Sequence, residues 1–389
     1  MADRPDVSIG PARQVDVLVI GGGQAGLAAG FYLHRLTRDA ARGRGGPAPS
    51  YAILDANTQP GGAWQHYWDT LELFSPAAYS SLPGYRMPPW TGAGNPSAEH
   101  VVSYLRTYED RYELPVHRPV TVHAVEDHPA GPDGGYLTRT DRGTWESTVI
   151  INATGSWRRP FVPRLPGAEE FTGTQLHTTG YRSRTPFTGQ RVVVVGGGNS
   201  GAQIAADLLP AAKSVTWVTR RSPRYLPDEV DGRALFALAT EHVQAVGRGE
   251  PSSGGVGSLG DIVAVPPVRA ARDAGRLEAA PMFTGFTPTG IRWDDGRTLE
   301  VDTVLWCTGF RPDLGHLRPL GLSMDGTTPA TDRDLPTRSG DRAGMFFLGY
   351  GDWCGPASAT LIGVGAPARA TVTAATEHLT HTLENGRKK

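Results

Sequence analysis

Residues 171–181 read Phe171-Thr-Gly173-Thr-Gln-Leu-His177-Thr-Thr-Gly-Tyr181, a spacing of F-x-G-x-x-x-H-x-x-x-Y. Fifteen residues past Tyr181 begins Gly196-Gly-Gly198-Asn199-Ser200-Gly201, preceded by the apolar run Arg191-Val-Val-Val-Val195. An earlier cluster, Gly21-Gly-Gly23-Gln24-Ala25-Gly26, follows Asp16-Val-Leu-Val-Ile20. Each cluster has an apolar run before it and an Ala/Leu-rich helical pattern after it. That is the strand–turn–helix signature of a dinucleotide-binding unit. One G-x-G-x-x-G means little in a chain with 50 glycines; two in the right context mean much more. The pattern predicts an α/β protein with two dinucleotide-binding (Rossmann-like, three-layer) domains.

Each glycine has a distinct task. Gly21 permits a tight turn, Gly23 lets the backbone approach a pyrophosphate, and Gly26 lets the helix pack on the strand. A helix from about Gln24 to Thr37 offers the amides of Gln24 and Ala25 to the phosphates. Gly196, Gly198 and Gly201 repeat the arrangement, with Asn199 and Ser200 at the next helix start. After the first unit, Arg38–Ser50 is rich in Gly, Pro and Arg and reads as a flexible insertion. The following strand, Tyr51-Ala-Ile-Leu-Asp55, ends in Asp55, with Ala56 beside it, 29 residues past Gly26. The insertion accounts for the excess over the usual spacing of about 20. An acid there hydrogen-bonds ribose hydroxyls, which suits FAD or NAD. In the second unit the strand Ser214–Thr219 ends instead in Arg220-Arg221. A guanidinium fork there suits a ribose 2′-phosphate, so NADPH is read over NADH.

Elsewhere the signals are coarser. Residues 1–14 read as a mobile leader. Ser97 caps a helix running to about Glu113, and Val116–Glu126, Gly135–Thr140 and Trp145–Ala153 read as a small antiparallel excursion. Pro160, Pro163 and Pro166 mark a hinge-like linker. Arg233–Val246 reads as a helix, Gly247–Gly260 as a Gly/Ser stretch or lid, and Val268–Ala274 as a short helix. Net charge is −1, which gives no field to draw nucleic acid or an anionic membrane. Two cysteines, Cys307 and Cys354, form no C-x-x-C, which excludes a thioredoxin-reductase-like dithiol and any zinc set. The polar start and the absence of an 18-residue apolar run predict neither signal peptide nor membrane span, and a cytoplasmic location is expected.

Taken together, the two glycine turns and the Phe171–Tyr181 signature resemble the class B flavin-containing monooxygenases. The wording of Gly61-Gly62-Ala63-Trp64-Gln65-His66, Gly196–Gly201 and Gly349–Thr360 is most similar to the arsenic-operon members. The resemblance runs from about Asp16 to about Arg369. It implies an FAD-binding domain over 1–165 and 300–389, with an NADPH-binding domain over 166–299 inserted in it. Gly62, Ala63 and Trp64 would lie beside the flavin. Thr154 and Gly155 would form the exit turn from the FAD domain, mirrored on return by Thr308 and Gly309 in the run Val301–Phe310. Ser75 matches a small polar residue that faces the flavin, and Asp352 matches an acid that binds the ribityl hydroxyls. A closing helix over Thr360–Ala375 would aim its first amides at the flavin pyrimidine carbonyl.

The implied reaction runs from NADPH through FAD to O₂, giving a C4a-(hydro)peroxyflavin that passes one oxygen atom to a small substrate. In this resemblance His177 couples the two domains and is not the base. Tyr181 stands where Baeyer–Villiger members carry Trp, which favours a soft sulfur, nitrogen or arsenic centre. An arsenical substrate rests on resemblance alone, since two cysteines cannot make a three-thiolate site. Two other readings stay open: an NADPH-dependent flavin reductase serving a quinone or protein acceptor, and a non-catalytic flavin-binding redox sensor. Oligomeric state is not fixed by the sequence, a homodimer being one option.

Overall fold

The computed structural model describes residues 12–44, 46–131, 135–228, 261–355 and 357–386. The chain opens with β1 (Arg13–Ile20), α1 (Gln24–Ala41) and β2 (Tyr51–Leu54). Then come α2 (Ala98–Arg111), β3 (Val116–His117), β4 (Val122–Asp127), β5 (Tyr136–Thr140) and β6 (Gly143–Asn152). A second group follows: β7 (Thr174–His177), β8 (Arg191–Val195), α3 (Asn199–Leu208), β9 (Ser214–Thr219), α4 (Pro266–Asp273) and β10 (Ala279–Pro281). After it come β11 (Gly285–Thr287), β12 (Gly290–Arg292), β13 (Thr298–Glu300) and β14 (Thr303–Trp306). The chain closes through β15 (Met324–Asp325), β16 (Thr328–Pro329), β17 (Met345–Phe347) and α5 (Gly365–Gly386).

Two sheets organise the molecule. The first runs β3-β2-β1-β6-β5-β4, with β17 also pairing β6. Its β1, β2, β3 and β17 pairings are parallel, while β4 and β5 are antiparallel neighbours. Parallel strands covered on both faces read as continuous apolar runs, and the two faces of β1 show it. Val17 and Val19 pack in the core that holds Leu27, Val101 and Ala368, from α1, α2 and α5. Leu18 and Ile20 pack with Val125, Leu317 and Phe347 on the other side. The second sheet, β10-β9-β8-β14-β7, is wholly parallel. Its β8 splits the same way: Val192 and Val194 lie in one core with Ile204 and Val268, Val193 and Val195 in another with Phe283 and Val304. The predicted pair of three-layer units is therefore present.

Several sequence expectations are corrected. Arg13 and Gln14 belong to β1 and not to a leader, and Arg38–Ala41 complete α1. Val116–Glu126 is not one strand: β3 is a two-residue parallel strand beside β2, and Pro119, with no amide donor, separates it from β4. Val301–Phe310 does not return directly to the first sheet. Its core, Thr303–Trp306, is β14, lodged between β8 and β7, where Val304 and Trp306 pack on Phe283 and Phe286. The return begins after Trp306, beyond the boundary at 299/300 expected from the resemblance. The last helix begins at Gly365, not Thr360. The helix and lid expected over 233–260 lie outside the described residues.

Two segments connect the sheets and run antiparallel, side by side. Phe161 N donates to Gly309 O at 3.0 Å, Arg311 N donates to Arg159 O at 2.9 Å, and Asp313 N donates to Gly155 O at 2.9 Å. The Thr308 hydroxyl donates to the Phe161 carbonyl.

Candidate cofactor and reaction site

The two glycine turns have one geometry. Gly21 sits at φ +114, and a Cβ there would stand 2.2 Å from the Ala153 carbonyl oxygen. A Cβ on Gly26 would stand 1.8 Å from the Gly21 oxygen. In the second turn Gly196 sits at φ +141, with a Cβ 2.2 Å from the Cys307 oxygen, and Gly201 would meet the Gly196 oxygen at 2.1 Å. These four glycines are required by the protein's own packing. The middle glycines are not. Gly23 has extended backbone (φ −83, ψ −172), and its nearest neighbour to a Cβ is Gly62 Cα at 3.8 Å. Gly198 is also extended (φ −109, ψ −172), with nothing within 4 Å. Both cap a helix start, where orphan amides and the helix dipole favour an anion. The free space in front of them fits a pyrophosphate at each turn.

A cavity of about 350 Å³ extends from the first turn. Gly21, Gly23, Gln24, Ala25, Asp55, Ala56, Gly62, Ala63, Trp64, Thr154 and Gly155 all line it. Gly26 lies behind the turn, packed on β1. Asp55 is buried; its Oδ2 accepts from Arg118 Nε at 2.8 Å and its Oδ1 from Asn57 N at 3.1 Å and Nδ2 at 3.0 Å. Arg118 in turn forks onto Glu109. A carboxylate offers about four acceptor positions, so Asp55 is held in place with capacity left for a hydroxyl. Trp64 Nε1 donates to Gln24 Oε1 at 2.8 Å, and Gln24 Nε2 donates to the Ala359 carbonyl at 2.6 Å. Tyr67, Trp157 and Phe310 also line the cavity, with ring centroids 4.7 and 5.3 Å apart in sequence.

A polar network closes one wall. Asn152 Nδ2 donates to the Tyr350 hydroxyl at 2.6 Å, and Thr154 N donates to it at 3.2 Å. The Thr154 hydroxyl lies 2.7 Å from that of Tyr350 and donates to the Asp313 carbonyl. His316 Nε2 lies 2.8 Å from Asn152 Oδ1, which makes Nε2 the donor; burial pushes this imidazole down to about 4, so it is neutral. Burial raises the Asp313 carboxyl above its usual range.

Other candidates fall elsewhere. Ser75 Oγ lies 2.9 Å from Ser80 Oγ and does not line the cavity. His177 is buried with both nitrogens engaged: Nε2 lies 3.0 Å from the Gly309 carbonyl and Nδ1 accepts from Thr179 N at 3.3 Å. The proton therefore sits on Nε2, and burial lowers the pKa. Tyr181 is fully buried off the cavity and donates to Asp207 Oδ2 at 2.6 Å, so it cannot touch substrate there. Asp352 is exposed in a short 3₁₀ turn behind Gly351 (φ +90) and does not line the cavity. Asp313 does, in addition to Asp55. Arg220 and Arg221 are exposed directly after β9, at the strand-end edge shared with Gly198, and neither makes an ion pair among the described residues.

Sequence reading missed Arg118, Trp157, Asp313 and His316. The signal for Arg118 was its place just past the third strand, at the same sheet edge as Asp55. Trp157 and Asp313 follow the two Thr-Gly turns by a few residues, a symmetry visible in the sequence. Nothing local pointed to His316. The two cysteines are free; burial pushes Cys307 up to about 12 and raises Cys354, so neither is a poised thiolate. Among the described residues no group of three metal-ligating side chains gathers, and no helix is long and apolar enough to cross a membrane.

Two strand–turn–helix units on two sheets, each with an open anion-accepting turn, and no redox dithiol define a flavin- and nicotinamide-binding oxidoreductase. The chain belongs to the pyridine nucleotide-disulphide oxidoreductase family, matched over residues 18–233, and within it to the flavin-containing monooxygenases. It is similar to a flavin-containing monooxygenase from Stenotrophomonas maltophilia: 42% identity, 94% of this chain, 99% of that one, TM-score 0.82. It is 28% identical to the uncharacterized oxidoreductase CzcO of Bacillus subtilis over 90% of this chain and 96% of that protein. It is 27% identical to indole-3-pyruvate monooxygenase YUCCA1 of Oryza sativa subsp. japonica, covering 86% of each. FAD and NADPH are the cofactors this membership implies, and the two open turns fit them.

Proposed function

We propose that this chain is an NADPH-dependent monooxygenase that transfers one atom of O₂ to a small substrate with a soft nucleophilic sulfur, nitrogen or arsenic atom. The observation that carries the reading is the pair of open middle glycines, Gly23 and Gly198, on two sheets joined by paired antiparallel linkers. One chain thus has room for two dinucleotides. When bound, FAD supplies the hydride acceptance and oxygen activation that no side chain here can.

The chain's own part is binding, orientation and exclusion of water. The amides behind Gly23 and Gly198 take the two pyrophosphates, and Asp55, held by Arg118, takes the first ribose. Arg220 and Arg221 take the 2′-phosphate. Gln24 fixes the Trp64 indole against the cavity wall, while Tyr67, Trp157 and Phe310 give an apolar end that keeps water from the reacting atoms. His177 binds the return segment at Gly309 and so positions the two halves. The proposed division, with the nicotinamide unit inserted in the FAD unit, then ends after β14 and not at 299.

The soft-atom class rests on the family position of Tyr181. Its buried hydroxyl acts on Asp207, so discrimination lies with other residues. The test is NADPH consumption under O₂ with a thioether, a tertiary amine and arsenite, scoring oxygenated product against hydrogen peroxide. One class should give product close to the NADPH consumed. Peroxide alone with all three, together with fast turnover on a quinone, would make the chain a reductase.

A further inference from the structure

The helix after the second turn carries a polar stripe on an otherwise apolar body. In α3, Asn199, Gln203 and Asp207 stand at i, i+4 and i+8 on one face. Each uses its side chain to fasten the helix to a different segment. Asn199 Oδ1 accepts from Val263 N at 2.8 Å. Asp207 accepts from the Tyr181 hydroxyl and pairs with Arg184. Gln203 reaches the first half of the molecule: its Nε2 donates to the Glu72 carbonyl at 3.1 Å, and its Oε1 accepts from Glu72 N at 3.4 Å. A side-chain amide here takes the place of a neighbouring strand's peptide group.

Glu72 is fixed in its own unit. It bridges Ser97 at the start of α2, and its Oε2 accepts from Asn95 N. Five residues before it stands Tyr67 in the cavity lining. The rest of the seam combines a few polar contacts with an apolar patch: Asp69 N donates to Arg182 O, Arg182 reaches the Tyr67 carbonyl, and Trp68, Leu71 and Ala98 share one core with Tyr181, Phe187 and Ala202. Trp68 Nε1 in that seam is buried with no acceptor among the described residues. Apolar burial is non-directional, so the paired amide contact of Gln203 is the feature that fixes the register of the halves at this point. Gln203 is 7% exposed and lies on the helix whose first amides would take the nicotinamide nucleotide in the reading above.

We infer that Gln203 is a positioning residue for hydride transfer, a latch from the nucleotide helix to the Glu72 backbone that sets the nicotinamide against the flavin. The inference rests on the two-nucleotide reading above. It specifies what that reading leaves open, namely what aligns the two nucleotides.

The test uses Gln203→Met, which keeps length and helix propensity but makes neither bond, and Gln203→Glu, which keeps only the acceptor for Glu72 N–H. In the flavin-loaded proteins, anaerobic flavin reduction at saturating NADPH should slow roughly 10- to 100-fold in Gln203→Met, the cost of a misplacement on the ångström scale. The Kd for NADP⁺ should stay within about threefold, because the phosphate contacts are untouched. Amide exchange at Glu72 should accelerate by about tenfold or more in Gln203→Met without any coenzyme. Gln203→Glu should fall between, and it carries the test if the Met variant does not fold. Unchanged reduction, unchanged Glu72 exchange, or equal losses in NADP⁺ affinity and rate would each overturn the latch. Failure of the two-nucleotide reading looks different: wild type itself would not be reduced by NADPH, while Glu72 exchange would still respond to the substitution.

Discussion

Gly23→Ala adds one methyl group at a position where the protein itself does not need glycine. The backbone is extended, and the new carbon would lie 3.8 Å from Gly62 Cα, an ordinary contact. The apoprotein should therefore be as stable as wild type, or more stable by about 0.4–1 kcal/mol through the loss of unfolded-state freedom. The cofactor should respond differently. A methyl in front of the α1 amides keeps the pyrophosphate from closing on them. Each charge-assisted hydrogen bond lost costs about 1.5–3 kcal/mol, so FAD affinity should fall roughly ten- to hundredfold or more. Gly26→Ala is the contrasting control. Its methyl would stand 1.8 Å from the backbone oxygen of Gly21, which cannot move without opening the turn. A cost above about 4 kcal/mol and little folded protein are expected. The assay pairs thermal unfolding of the apoproteins by circular dichroism with FAD titration by flavin fluorescence. Wild-type FAD affinity in Gly23→Ala would refute the reasoning, and so would an apoprotein destabilised by more than about 1 kcal/mol.

Arg220→Ala, or its double with Arg221, should raise KM for NADPH roughly ten- to hundredfold while leaving NADH nearly unchanged, measured by steady-state NAD(P)H oxidation. Tyr181→Phe should leave the buried Asp207 oxygen short of a donor and lower stability by about 1–3 kcal/mol in a urea titration, with the ranking of thioether and amine substrates unaltered. His316 is held near 4 in the folded chain against about 6.5 unfolded, so the unfolded state binds the extra proton between those values. Stability should be full above pH 6.5 and fall as the pH drops toward 4, by up to roughly 3 kcal/mol, in urea unfolding followed across that range. His316→Asn should flatten this slope.

The sequence by itself determined what is set within a few residues. Val17–Ile20 and Val192–Val195 are short apolar runs cut by glycine, and Gly21, Gly26, Gly196 and Gly201 stand where no Cβ fits. Strand–turn–helix units are local objects, so composition and order reveal them. The Ser97 cap was legible for the same reason: its hydroxyl accepts from His100 N three residues on. Asp55 at the end of β2 followed from the same unit once the insertion was discounted.

Tertiary structure alone decided which distant segments meet. Thr303–Trp306 has the look of any buried strand, and only its fit between β8 and β7 assigns it to the second sheet. Asp352 and Asp313 are both acids near glycine turns. The φ of Gly351 and the antiparallel pairing of the two linkers put one in solvent and the other at the cavity. Tyr181 carries a family signature, yet its neighbours Trp68 and Asp207, separated from it by 113 and 26 residues, make it a buried brace. Gln203 reads as one more polar residue on a helix until Glu72, 131 residues away, is brought to its amide. A hydrogen bond across such a separation leaves no periodicity or spacing in the chain, because its geometry exists only after both sheets have formed and packed.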